Sequence, residues 1–287
     1  MFIIIGFVVV IGSVLLGYVL HHGKIAILIQ TSEFLIIGGA AVGAMLMGNS
    51  PAAVKGTFQR TLALIKPNPY TKSNYSELLL LLNELFQLSK KDGLLALEKH
   101  VERPGESEIF SRYPFFSSNH HAVDFLADTI KVMLSGAIDK HDLAEVLEAD
   151  IEQHLEEAMT ASHVMSRTAD ALPGFGIVAA VLGVVITMGS IAGAASEIGE
   201  KVAAALVGTF LGILLAYGIY SPLAQSCESM ARCEVAYLSC IKAALLSFAH
   251  GDPPLTAIEF ARRAIEPGIR VSFSELEVLL KEQKAKS

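Results

Sequence analysis

Residues Leu172 to Ser196 read LPGFGIVAAVLGVVITMGSIAGAAS. The run contains no Asp, Glu, Lys, Arg or His. It exceeds the roughly 20 helical residues that cross a hydrocarbon core about 30 Å thick. A few residues on, Val202 to Ser221 has the same character, so the two form a membrane hairpin with a short turn. Near the start of the chain, Phe2 to Leu20 and Phe34 to Ser50 form a second pair; Phe34 to Ser50 is the shortest of the four, and Glu33 separates it from the apolar run Ile25 to Ile29. With 52% apolar residues and a mean hydropathy of +0.50, the chain is too apolar for an ordinary soluble protein of 287 residues. The fold expected is an all-α integral membrane protein. It has four transmembrane helices in two hairpins, a large helical cytoplasmic insert and a cytoplasmic C-terminal tail.

Phe2 to Leu20 lacks a basic region before it and a small-residue cleavage site after it, so it reads as a retained helix rather than a signal peptide. Of 22 Lys and Arg, 12 lie between residues 51 and 171 and 8 after residue 221, leaving Lys24 and Lys201 in the two short loops. Near the helix ends Lys55, Arg60, Lys66, Arg167 and Arg232 outweigh those two. The positive-inside rule therefore places both polar regions and both termini in the cytoplasm. The expected division is 1–50 for the first hairpin, 51–171 for the cytoplasmic domain, 172–222 for the second hairpin and 223–287 for the helical extension and tail. Within the insert, Ser76 to Leu88 carries a Leu-rich face, His121 to Leu134 is amphipathic, and Asp142 to Met159 is acidic and helical. Pro67, Pro69, Pro104 and Pro114 separate these helices. After Pro222 the helical pattern continues to about Phe248, and further helices follow from Leu255 and Ser274.

Composition excludes several functions. The net charge of −7, with 18 acids against 12 bases in residues 51–171, argues against nucleic-acid binding. Cys227, Cys233 and Cys240 lack zinc-site spacing and read as small apolar residues. The nine histidines form no metal pattern, and no nucleophile constellation or phosphate loop is present. Neither catalysis nor a cofactor is expected.

The membrane segments are rich in small residues at helical spacing: Gly176, Ala180 and Gly183; Gly208, Gly212 and Ala216; Ala40, Ala44 and Gly48. Lipid gives helices no hydrophobic reason to associate, so such residues serve close packing, within one chain or between copies. Thr187 and Thr209 are the polar groups at depth. Each could line a pathway or simply bond its own i−4 carbonyl. Pro173 opens the third helix, where a missing N–H costs little. Pro222 either ends the fourth helix or bends it.

The runs Leu172 to Val185 and Val207-Gly208-Thr209-Phe210-Leu211-Gly212-Ile213-Leu214-Leu215-Ala216-Tyr217-Gly218, ending at Ser221-Pro222, resemble the third and fourth membrane helices of MotA, the bacterial flagellar motor stator subunit. Glu106-Ser107-Glu108-Ile109-Phe110 with Tyr113-Pro114 is also similar to that family, which forms part of the MotA/TolQ/ExbB proton channel family. The resemblance covers essentially the whole chain. It implies a multi-pass protein of the bacterial inner membrane, with five copies around two MotB-type subunits. MotB supplies the transmembrane Asp and the peptidoglycan anchor, while the insert pushes on the rotor protein FliG. The resemblance assigns Thr209 and Ala180 to the ion pathway, with Thr187 as a further oxygen. It assigns Pro173 and Pro222 to coupling, and Glu98 with Lys90, followed by Lys91, to the rotor contact. Lys90 stands where the family has Arg, keeping the charge but losing the planar fork. Ala180 stands where sodium-driven relatives carry Thr, which favours protons as the transported ion. The alternatives are an ExbB/TolQ-like subunit energising envelope processes, a sodium-driven stator and a passive scaffold.

Overall fold

The computed structural model describes residues 2–136, 138–189 and 194–286, and contains no strand among them. The helices are α1 (Phe2–Leu20), α2 (Ile25–Leu28), α3 (Thr31–Gly48), α4 (Pro51–Ala63), α5 (Lys72–Asp92), α6 (Glu98–Glu102), α7 (Pro114–Ser118), α8 (His120–Ser135), α9 (Lys140–Met188), α10 (Ala195–Leu215), α11 (Ser221–Ala249), α12 (Pro254–Ala264) and α13 (Phe273–Lys286). Short 3-10 turns lie between α5 and α7. One π-helical turn, Ala216–Tyr220, joins α10 to α11. The chain forms two compact units, Met1–Pro67 with Ala158–Met230, and Asn68–Glu157 with Ala231–Ser287.

The first unit holds the apolar helices. Four stretches are long and apolar enough to cross a membrane: Phe2–Leu20, Ile25–Gly48, His141–Met188 and Ala195–Ala249. No residue of α1 is buried, which a helix apolar on every side tolerates only in lipid or against further helices. The buried cluster is Ile37, Ala41, Leu172, Ala179, Val207, Leu211 and Ala216, so α3, α9 and α10 pack together. The loop end of the expected third segment, residues 190–193, lies outside the described residues.

Two sequence expectations change here. Pro173 does not open a helix: it lies inside α9, which starts at Lys140. The onset of apolar character at Leu172 marks a change in surroundings, not in backbone conformation. The second apolar stretch begins at Ile25 rather than Phe34, and so includes Glu33. That carboxylate is buried, 5% exposed, on the face of α3 that carries Ile37 and Ala41. The apolar helices of this chain are therefore not free of ionisable groups.

The second unit is organised around α5. Thr71 caps its start by accepting from the Asn74 N–H, and Gly93, with φ +85°, turns the chain after it in a conformation that only glycine adopts freely. Leu78, Leu79, Leu82, Leu85 and Phe86 are fully buried; each such side chain contributes roughly 1.5–3 kcal/mol. Phe86 stacks on Phe248 with centroids 4.2 Å apart. The Glu106-to-Pro114 segment is held by polar contacts. Ser107 Oγ accepts from the Phe110 N–H at 3.2 Å and lies 2.8 Å from Nδ1 of buried His100. Burial holds His100 below its ordinary value of 6.5, which favours the neutral ring. Glu77 Oε1 accepts from the N–H groups of Phe115 and Phe116, at the N-terminus of α7 where backbone donors lack helical partners.

In the tail, Glu259 accepts from Arg262 at 2.7 Å through both oxygens and from Arg263 at 2.8 Å. Arg262 also donates to the Val271 carbonyl. The Arg262 hydrogen bonds, reinforced by those from Arg263, hold the Glu259 carboxyl at about 2, below its ordinary 4.5. The depressed value fixes the sign: the stabilisation is complete above pH 4.5 and is lost as pH falls toward 2. Glu259→Gln is expected to destabilise the protein by about 1–3 kcal/mol at neutral pH, because it strips a mostly buried guanidinium of its partner. Thermal unfolding as a function of pH checks this: the variant's deficit should shrink toward the acid end of that window.

Candidate functional site: the α9–α10 hairpin and the α5–α6 corner

Helices α9 and α10 meet backbone to backbone. A Cβ placed on Gly176 would lie 2.8 Å from the Gly208 carbonyl oxygen and 3.3 Å from Thr209 Cα. On Gly212 it would lie 2.6 Å from the Leu172 carbonyl oxygen, and on Gly183 it would lie 2.6 Å from the Ala205 Cβ. The small residues of these two helices are thus a packing requirement within one chain. The seam expected on α3 differs: Gly39, Gly43 and Gly48 have open space where a Cβ would stand.

This crossing places two of the pathway candidates. Thr209 backs onto Gly176, and Ala180 follows one turn after Gly176 on α9; both are half-buried. Thr187 is buried, 1% exposed, and donates its hydroxyl to its own Gly183 carbonyl at 2.8 Å. At 1.5 Å per residue it stands about 10 Å along the axis from Ala180. The oxygens of Thr187 and Thr209 therefore do not converge, as ligands of a dehydrated metal cation would have to.

The two prolines have distinct backbone settings. Pro173, inside α9, lacks the N–H that would bond the Ala169 carbonyl, and Gly212 presses on the neighbouring Leu172 carbonyl. Pro222 is the second residue of α11, one residue beyond Ser221, whose N–H reaches back five residues to the Ala216 carbonyl to close the π turn. Such turns sit at helix bends. Helix α1 touches this turn: a Cβ on Gly218 would lie 3.0 Å from Val10 Cγ1.

The charged candidates lie in the second unit. Lys90 and Lys91 close α5 and Glu98 opens α6; all three are exposed and form no ion pair among the described residues. Each charge complements the dipole of its helix end. Between them Leu95 is 72% exposed. Leu95 and Glu98 border an open hollow with Glu102, Arg103 and Lys131. The corner presents charge and one apolar side chain on a short, glycine-terminated turn.

Sequence reasoning missed Glu33. Its Oε2 has no hydrogen-bond partner among the described residues, and a Cβ on Gly208 would lie 2.7 Å from that oxygen. The signal was present: Glu33, Ile37 and Ala41 are four residues apart and share one helix face. Cutting the apolar segment at its first charge removed Glu33 from that stripe.

Residues 4–93 match the family model for the N-terminal part of motility protein A, and residues 117–239 match the MotA/TolQ/ExbB proton channel family. Motility protein A of Salmonella typhimurium is 41% identical over 277 residues, which is 96% of this chain and 94% of that one. The chain belongs to the MotA family. The fold agrees with a chain of the C. jejuni MotAB structure, with a TM-score of 0.77, 21% identity and coverage of 94% of this chain and 98% of that one. It also agrees with a chain of the flagellar MotAB stator complex from Bacillus subtilis, with a TM-score of 0.72, 21% identity and coverage of 89% and 92%. MotA-type chains are flagellar stator subunits within a proton-channel family, and this one is related to them along nearly its whole length. The match to the motility-protein N-terminal model disfavours the ExbB/TolQ-like and scaffold alternatives.

Proposed function

We propose that this chain is the ring subunit of a proton-driven flagellar stator in the bacterial inner membrane. Five copies surround two MotB-type subunits, with both termini and both polar regions in the cytoplasm and the α9–α10 hairpin facing the partner. The partner contributes the ion-carrying Asp and the peptidoglycan anchor. The observation that carries this reading is the hairpin itself: two helices locked backbone to backbone, flanked by Pro173 and Pro222, with no Asp, Glu, Lys, Arg or His from Leu172 to Gly189 or from Val202 to Ser221. Such a hairpin can move as one body past a carboxylate that another chain supplies.

Protons suit this surface better than sodium. Ala180 offers a methyl group, Thr187 stands about 10 Å along the axis, and the side-chain oxygens near the crossing are those of Thr209 and the Glu33 carboxyl. A proton needs a carboxylate and water; a sodium ion needs several converging oxygens. No cofactor and no catalytic role is assigned. Proton uptake by inverted membrane vesicles tests the channel: uptake should require both this chain and a MotB-type partner with its Asp. Uptake by this chain alone would contradict the reading.

Lys90, Lys91 and Glu98 are assigned to the contact with FliG. Exposed ion pairs are worth roughly 0–1 kcal/mol each, which suits a contact that forms and releases at every step. Glu98→Lys is expected to reduce torque several-fold while proton uptake is unchanged. Tethered-cell rotation beside vesicle uptake separates the two. Unchanged torque would tell against this assignment.

A further inference from the structure

Glu33 is the one ionisable side chain of α3 and stands in its first turn; three observations place its carboxyl against the α9–α10 pair. It is 5% exposed. Its Oε2 has no hydrogen-bond partner among the described residues. That oxygen sits against Gly208, whose absent side chain leaves the space it fills, and Ala179 Cβ and the Gly176 carbonyl border the same spot. Gly208 lies about 9 Å along α10 from Val202, where its apolar run begins. It is one residue along each helix from Thr209 and Ala180.

Few other charges stand on the helices around it. Between Leu172 and Gly189, α9 has no titratable group; α2 has none, and α3 has no other. On α10 the charged residues are Glu197, Glu200 and Lys201, of which Lys201 pairs with Glu197 at 2.9 Å. Lys201 shares the Gly208 face two turns away, about 10 Å along the axis. Lys24 precedes α2, and Lys55 and Arg60 belong to α4, beyond the opposite end of α3. A carboxylate anion with an unpaired oxygen is unfavourable in such surroundings, and a neutral acid is not.

We propose that Glu33 is a second proton-exchanging carboxylate of the stator, held closed by Gly208 and Ala179 and opened when the α9–α10 hairpin moves. This rests on the reading of the chain as a stator subunit. When closed, Glu33 is the neutral acid. When the hairpin shifts, Oε2 meets water, releases one proton and becomes the carboxylate. It regains one proton from that water before the hairpin closes again, so the exchange balances and leaves no net charge in the bundle. The same contact makes hairpin position and protonation of Glu33 mutually dependent, because only the neutral form packs against Gly208 without penalty.

The test uses the full chain assembled with a MotB-type partner, as wild type, Glu33→Gln and Glu33→Asp. Glu33→Gln keeps the shape and removes titration. It should co-purify normally, slow swimming by about threefold or more at neutral pH and flatten the dependence of speed on external pH. Glu33→Asp should keep a pH dependence. Infrared difference spectra of the purified complex should show a protonated-carboxyl carbonyl band that titrates reversibly in wild type and is missing in Glu33→Gln. Wild-type speed and pH profile in Glu33→Gln, or a band unaffected by that change, would overturn the proposal. Loss of co-purification in Glu33→Gln with a retained band would overturn it in favour of a packing role. If wild type itself fails to swim, the stator reading is at fault, and the infrared band alone decides for or against Glu33.

Discussion

Replacing Gly212 with valine is expected to abolish swimming and to cut the recovery of assembled complex about tenfold. A Cβ at Gly212 would stand 2.6 Å from the Leu172 carbonyl oxygen, with the Gly176 backbone a further 3.0–3.2 Å away. These are backbone atoms of α9 and cannot rotate aside as a flexible side chain would. Two branched methyl groups then force the helices apart, and overpacking of this kind costs about 1–3 kcal/mol. The separation also removes the close approach on which helix association in lipid depends. The site is one residue from Pro173, so the displaced segment is the one assigned to coupling. Membrane yield of the complex and swimming speed should fall together. Gly39→Val is the control: it lies on α3 with open space around it and should be far milder in the isolated chain.

Replacing Pro173 with alanine should give the opposite pattern, with torque reduced about tenfold and complex recovery equal to wild type or higher. Proline inside a helix costs about 3 kcal/mol relative to alanine, because it withholds an N–H and crowds the carbonyl four residues before it. Alanine restores the bond to the Ala169 carbonyl and stiffens α9 where its apolar part begins. A helix that keeps an expensive residue at this point gains something else from it, and under the proposed function that gain is the coupling of ion flow to movement. Co-purification with the partner, thermal stability of the complex and tethered-cell torque separate the two effects. Loss of the complex would show that Pro173 serves assembly instead. The contrast between Gly212 and Pro173 is informative because the two residues are neighbours in space yet should fail in different ways.

Much of this architecture was legible because lipid imposes simple rules. Uninterrupted apolar runs marked the spans, and Gly176, Gly183, Gly208 and Gly212 pointed to close packing within one chain or between copies; the structure places that packing between α9 and α10. The Leu-rich face of Ser76 to Leu88 became the buried face of α5, and His121 to Leu134 became α8. Where reading failed, it failed for identifiable reasons. Glu33 looked like a segment boundary, since one charge ends an apolar count even when its helix face is buried. Pro173 looked like a start because composition changes there while the backbone does not. The π turn before Pro222 has no signature in residue type. The Arg262–Glu259 anchor and the bonds from Gln283 to Leu80 and Tyr113 join residues brought together only by folding. For the candidate site, spacing alone left Thr187 open between pathway and self-bonding. The 2.8 Å bond to Gly183 shows where its proton goes.

Under the proposed function, proton flow past the α9–α10 hairpin drives this chain against a rotor. The most direct measurement is swimming speed in a bacterium lacking its own stator, carrying this chain with a MotB-type partner, in media with and without sodium and with a protonophore. Swimming that is indifferent to sodium and stops with the protonophore is the predicted result. Swimming that requires sodium and survives the protonophore would contradict it.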